Sequence, residues 1–244
     1  MKKLFTFLCL CIAFVSCSKD EDTLSLNTTS VVLYAQEEHI ITTNGTNVSF
    51  ESENPYIATV NSTTGKVTAM TIGKTSIRVN SDQGSARLSV EVKPLYNTYT
   101  EPCTDFSKTK SQIVSMYGTP DSESGSTITY LHNKTKHFAD MYLFDNKLSS
   151  SAAVIPQDYA VEAMKFLLER YWALGVEDNI YMFVNGHSAE TITMGVALSK
   201  MSGYNYYMVM YIPYTSSNTR SLVETFNNID IDKTILEKFA EYKE

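Results

Sequence analysis

Three regimes of hydrophobic patterning follow one another along the chain. Residues 4–15 are almost continuously apolar behind Lys2 and Lys3. A run of that length is too short to cross a bilayer as a stable helix, and its order of charge then apolar stretch is that of an export signal covering residues 1–16. From 24 to 93 the pattern becomes short alternating runs at 31–34, 39–41, 48–50, 57–60, 66–69, 76–79 and 88–92, separated by Asn, Ser, Gly and Asp. Alternation of that kind predicts seven strands that each bury one face, an all-β sandwich.

Residues 94–102, which begin and end in proline, predict a linker, and the pattern beyond them is mixed. Ile113, Val114, Met116 and Tyr117, followed by Gly118-Thr119-Pro120, predict a short helix with a glycine end and a proline stop. Strands are expected at 127–131, 139–144 and 151–155. Pro156 then opens a second helix to Leu174, with Tyr159, Ala163, Phe166, Leu167, Tyr171 and Leu174 at helical spacing and Gly175 after its end. Three more strands are expected at 180–184, 191–198 and 206–214. Both halves therefore read helix, strand, strand, strand, and both end in Ile-Pro, at 155–156 and 212–213. The order predicts an α+β domain over 103–244, built from duplicated α-β-β-β units that form one antiparallel sheet with helices on one face. It resembles TATA-binding-protein-like folds in topology alone, and topology does not transfer function. After a polar stretch from 215 to 228, Asp232 reads as the N-cap of a closing helix with Ile235, Leu236, Phe239 and Tyr242 on one side.

Val15-Ser16-Cys17 resembles a bacterial lipobox. The resemblance implies cleavage before Cys17, acylation of its thiol and anchorage to a membrane by lipid. Residues 17–23 then form an acidic lipidated linker. Ser18-Lys19-Asp20-Glu21-Asp22 resembles the signal that carries Bacteroidetes lipoproteins to the outer face of the outer membrane, and a solvated charged linker fits the same residues. The implied location is the outer membrane, exposed at the cell surface or else facing the periplasm. Asp22-Thr23-Leu24 resembles a short O-glycosylation acceptor centred on Thr23, a three-residue pattern that chance also supplies.

Within the sandwich, residues 51–60 carry Ser52-Glu53-Asn54-Pro55 before Ile57-Ala58-Thr59-Val60, and Gly65-Lys66-Val67-Thr68-Ala69 and Gly73-Lys74-Thr75-Ser76-Ile77 follow. This series resembles the bacterial Ig-like group 2 domain across nearly all of 24–93, with Phe50 where that family often has tryptophan. Asn54-Pro55 sets a turn and Gly65 permits the positive φ of a tight hairpin. The resemblance implies a spacer or contact module without catalytic residues.

Charge narrows the partners. The formal net charge is −7, and removal of residues 1–16 takes away two lysines and no acid, which deepens it. Nucleic acid and anionic lipid need clustered Lys or Arg, so neither is an expected partner, and membrane contact falls to the lipid on Cys17. Of four cysteines, Cys9 and Cys11 leave with the signal and Cys17 carries lipid, so Cys103 is left without a disulfide partner. His132 and His137 flank a hairpin tip between lysines and predict no metal site; Asn185-Gly186 predicts a hairpin turn, with His187, Ser188 and Glu190 in the exposed loop. No catalytic constellation and no cofactor motif is found.

The remaining chemistry is aromatic. Alternation places Met182, Val184, Met194, Val196, Met208, Met210 and Ile212 on the expected helix-covered face, and Tyr181, Phe183, Tyr207 and Tyr211 opposite, joined by Tyr142 and Phe144. Open, such a face offers stacking area for a glycan or a protein ligand; covered, it is a second core. The function expected is non-enzymatic binding or adhesion at the cell surface. An extracytoplasmic hydrolase with an unrecognised site, or a component of an envelope or pilus-like assembly, is the alternative.

Overall fold

The computed structural model of the chain describes residues 23–214. The export segment, Cys17 and the helix expected after Asp232 therefore lie outside the described residues. The alternating segments fold as β1 (Ser30–Tyr34), β2 (Glu38–Ile40), β3 (Ser49–Ser52), β4 (Ala58–Val60), β5 (Lys66–Ala69), β6 (Gly73–Ser81) and β7 (Gly84–Lys93). They form two sheets, β1-β7-β6-β3 and β2-β5-β4, antiparallel throughout except for the β1–β7 pair. Period-two burial explains the packing: Leu88, Val90 and Val92 of β7 point inward onto Ala58, Val67 and Ala69 of the opposite sheet, while Arg87 and Ser89 face solvent. Gly65 has φ +68°, and a Cβ there would lie 2.7 Å from the Phe50 ring, so the hairpin needs glycine for both conformation and space.

The second unit runs α1 (Lys110–Tyr117), β8 (Ser122–Ser124), β9 (Thr127–Lys134), β10 (His137–Asp145) and β11 (Lys147–Pro156). After a 3-10 turn at Gln157–Tyr159 come α2 (Ala160–Leu168), β12 (Trp172–Glu177), β13 (Ile180–Val184), β14 (Met194–Lys200) and β15 (Tyr206–Pro213). The eight strands form one antiparallel sheet in the order β12-β13-β14-β15-β11-β10-β9-β8. Each half thus supplies one helix and four strands, and the halves join where β11 pairs with β15. α1 starts at a capping box between Thr109 and Gln112 and ends at Gly118, φ +88°. Strand dominates the described residues, and the helices are short.

Two expectations about this unit are corrected. The helix expected to Leu174 stops at Leu168, and residues 172–177 pair instead with β13 through the turn at Asp178-Asn179, where both residues have positive φ (50° and 64°). That is the conformation of a two-residue type I′ hairpin. The carbonyl of Glu169, just past the helix, accepts a 2.7 Å hydrogen bond from Ile72 N–H of the first unit, so the chain leaves the helix where the two units touch.

The second correction concerns the faces. Register places Phe183, Val196, Tyr211, Ser151 and Tyr142 in one row across the sheet, and Met182, Ala197, Met210, Ala152 and Met141 in the row of opposite facing. Phe183 and Tyr211 share a cluster with Ala163, Phe166 and Leu167 of α2, and Tyr142 packs with Ile113 of α1. The aromatic row is therefore the helix-covered one. Met194 and Val196 are helix-covered as expected, but they share that face with Phe183 and Tyr211 instead of lying opposite them. Alternation fixes which residues of one strand share a face and leaves open both the register between strands and which face meets a helix; bulky rings fill the wider gap beneath one. Met141, Val154, Met208 and Met210 make a separate buried cluster that contains no described helix.

Candidate functional site

The segment 94–102, expected as a linker, packs against the second unit. Thr98 and Tyr99 are buried, and Tyr99 sits among Ala153, Ile155, Phe166 and Tyr211. The Glu169 carboxylate, itself buried, accepts hydrogen bonds from Leu95 N–H at 2.9 Å and Tyr96 N–H at 3.1 Å and pairs with Arg170. Arg170 in turn donates to the Tyr96 carbonyl at 3.2 Å. The units meet at this point: Tyr56 OH donates to the Arg170 carbonyl at 2.7 Å, and burial, with the Glu101 charge nearby, pushes the Tyr56 phenol up to about 12. A cleft of about 320 Å³ lies along the seam between Tyr34, Gln36, Leu95, Tyr96, Lys165 and Leu168.

Glu101 organises the buried tyrosines. Its Oε1 accepts from Tyr171 OH at 2.5 Å and Tyr211 OH at 3.1 Å, and Tyr99 and Tyr211 share a hydrogen bond at 2.6 Å. Burial first, and the carboxylate charge of Glu101 with it, push the Tyr171 and Tyr211 phenols far above their ordinary value. These hydroxyls keep their protons near neutral pH, so they hold the core and supply no general base.

The expected ligand face divides accordingly. Tyr142, Phe183 and Tyr211 are buried, Phe144 and Tyr207 are half-buried, and Tyr181, on the strand next to the edge strand β12, is 39% exposed. No open aromatic platform results. Thr23 is exposed. Cys103 is a free, half-buried thiol packed against the cluster of Ile113, Ile128 and Tyr142, a structural position. The Asn185-Gly186 turn is a longer loop, in which the Asn185 side-chain oxygen Oδ1 accepts from Thr193 and Met194 N–H, both at 2.9 Å. Gly186 lies so close to the Thr191 backbone that a Cβ would be 2.7 Å away. His187 and Glu190 are exposed on the loop and Ser188 is half-buried; a hydrogen bond from the Ser188 side chain, with the His187 charge, lowers the Glu190 carboxyl.

Sequence reading weighs His132 and His137 and sets them aside without the third member of their constellation, Asp140. His132, on β9, and His137 and Asp140, on β10, converge: His132 Nε2 lies 2.8 Å from Asp140 Oδ2, and His137 Nε2 lies 2.8 Å from Asp140 Oδ1. His137 and Asp140 are three apart, which in a regular strand sends them to opposite faces. A register shift between His137 and Ala139 turns both to the same side, and no sequence periodicity announces such a bulge. Burial pushes the Asp140 carboxyl upward, but the hydrogen bonds and charges of His132 and His137 outweigh it and hold it below the ordinary range. His137 Nδ1 is buried without a hydrogen-bond partner. The ligand-capable atoms of the three residues all lie within 4.8 Å of one another, so this is a group that could hold a metal ion.

Comparison with known proteins decides the first unit. The family model of the bacterial Ig-like domain (group 2) matches residues 27–92. Residues 27–92 are a bacterial Ig-like domain. The Ig-like domain thus spans β1 to β7, as the 51–77 series implied. No curated protein matches the chain. Among solved structures, the chain is similar to the surface layer protein SbsC, domains 4–9, at 13% identity and TM-score 0.28, over 81% of this chain and 27% of that one. It is also similar to SbsC domains 5–6, at 13% identity and TM-score 0.27 over 81% and 86% of the two chains. SbsC domains 4 and 5 give 18% identity and TM-score 0.23 over 79% and 86%. The chain spans about a quarter of the length of the first of these, and likeness at this level carries no argument about function. No helix among the described residues is long and apolar enough to cross a membrane.

Proposed function

We propose that this chain is an exported surface protein, anchored to the outer membrane by lipid on Cys17, that acts by contact with another protein and not by catalysis. In this reading the duplicated α+β unit, with both helices on one face of its sheet, bears the contact, and the Ig-like domain is a rigid spacer. The observation that carries it is the edge strand β12. Among the described residues β12 pairs only with β13, and Leu174 is 47% and Val176 57% exposed beside Tyr181. Natural sheets protect such edges, because unpaired N–H and C=O groups beside apolar side chains recruit a further strand. The opposite edge, β8, follows that rule with three short polar residues, Ser122–Ser124. The exposed edge favours a protein over a glycan, since the rings a glycan would stack on are buried.

Two experiments test the reading. A photo-crosslinking residue at position 176, introduced in cells that carry the chain, is expected to give a protein adduct that the same residue at the exposed Lys147 does not. Equal labelling at both positions, or none at 176, would remove the edge as the contact. Separately, Cys17→Ala is expected to abolish incorporation of a labelled fatty acid and to leave the precursor unprocessed or soluble. Label retained by that variant would refute the anchor.

A further inference from the structure

The geometry points to a divalent transition-metal site, of the type zinc occupies, at His132, His137 and Asp140. Two imidazole nitrogens and a carboxylate oxygen are a donor set suited to zinc, and three protein ligands leave a fourth position for water or a ligand. The three residues meet by a specific device, the β-bulge that turns His137 onto the face of Asp140 and His132. Bulges are over-represented next to functional sites because they re-aim a side chain.

Burial is graded as an occupied site requires. The His137 and Asp140 side chains are 2% and 10% exposed and fix the inner ligands, while His132, at 26%, forms the rim through which an ion enters. The Tyr99 ring packs edge-on against His137 at 5.7 Å and restrains its orientation. Of the two lysines at the hairpin tip, Lys136 Nζ is held by both Glu162 oxygens, at 2.7 and 3.0 Å, so its charge is already compensated, and Lys134, paired with His137 in the strand register, is solvent-exposed. His137 also borders a cleft of about 460 Å³ between the 97–100 segment and the 134–137 hairpin tip.

The separations fit a closed, ion-free form. Each Nε2 now lies 2.8 Å from an Asp140 oxygen. Zinc bonds of about 2.0–2.1 Å in a tetrahedron need ligands about 3.3 Å apart, so the ligands part by roughly half an ångström and the Asp140 carboxylate turns one oxygen to an ion shared by both rings. Coordination through Nε2 requires that nitrogen to give up any proton it shares with Asp140 and leaves Nδ1 of each ring as its N–H.

Isothermal titration of the purified full chain with zinc alone, in metal-free buffer, is the test. The expected result is one zinc per chain, a rise in melting temperature, and visible bands of tetrahedral coordination when cobalt(II) is the probe. His132→Ala, at the partly exposed rim, is expected to retain the metal-free melting temperature and to lose about tenfold or more in affinity. His187→Ala, which removes an exposed histidine outside the cluster, is expected to bind as the unaltered chain does. Absence of zinc binding, affinity unchanged in His132→Ala, or binding lost in His187→Ala would each overturn the assignment. The outcome is independent of the protein contact at β12, which lies at the far edge of the sheet from β9 and β10.

Discussion

Tyr211→Ala is expected to lower the stability of the second unit by about 3–5 kcal/mol, the usual cost of truncating a buried aromatic ring and leaving its cavity. Tyr211 has no exposed surface, and its ring fills the space between β15 and α2 alongside Phe166 and Phe183. Its hydroxyl also ties Tyr99 to Glu101. A shift in the thermal melt on the order of 10 °C follows for a unit of this size. Tyr211→Phe separates the two contributions: it keeps the ring and removes the hydroxyl, so about 1–3 kcal/mol is expected from the buried partners left short of a hydrogen bond. Tyr181→Ala, at a partly exposed position beside the edge strand, is expected to stay within about half a kcal/mol. Equal small losses for Tyr211→Ala and Tyr181→Ala would mean that the aromatic row is open.

The second large effect is expected at Glu169. Glu169→Ala removes the buried partner of Arg170 and both acceptors of the 95–96 backbone, and a charge left unpaired in the interior costs about 3–5 kcal/mol. The same change is expected to expose residues 94–102 to limited proteolysis. The unaltered chain is expected to resist cleavage there, because that segment is ordered along the second unit and not extended between two free bodies. Rapid cleavage of the unaltered chain within 94–102, yielding two stable fragments, would restore the flexible linker and contradict the seam.

Glu169 also shows why the segment looked like a linker. Pro94 and Pro102, and the polar residues between them, carry no periodic signal, since their partners lie far along the chain at Glu169, Arg170 and Tyr211. Contacts at sequence separations of this size leave no local pattern to read. The helix overrun at 169–174 has a similar origin. Tyr171 and Leu174 continue the helical spacing by coincidence, while the true boundary is set by the pairing of β12 with β13 and by the docking of Ile72 on Glu169. The Asp178-Asn179 turn was a legible signal of that hairpin.

The amino-acid sequence by itself determined the seven strands of the Ig-like domain and its family, and placed a helix before each group of strands in the second unit, where it predicted three strands and each group has four. These rest on side-chain period and turn chemistry, which act over a few residues. Only the tertiary structure decided which face of the large sheet the helices cover, because alternation is symmetric about the sheet and a rule of period two cannot name a side. The gathering of His132, His137 and Asp140 was likewise decided by the fold. Their spacing along the chain is unremarkable, and a single bulge in β10, held by the register of its neighbour, brings three ligand-capable side chains to one point.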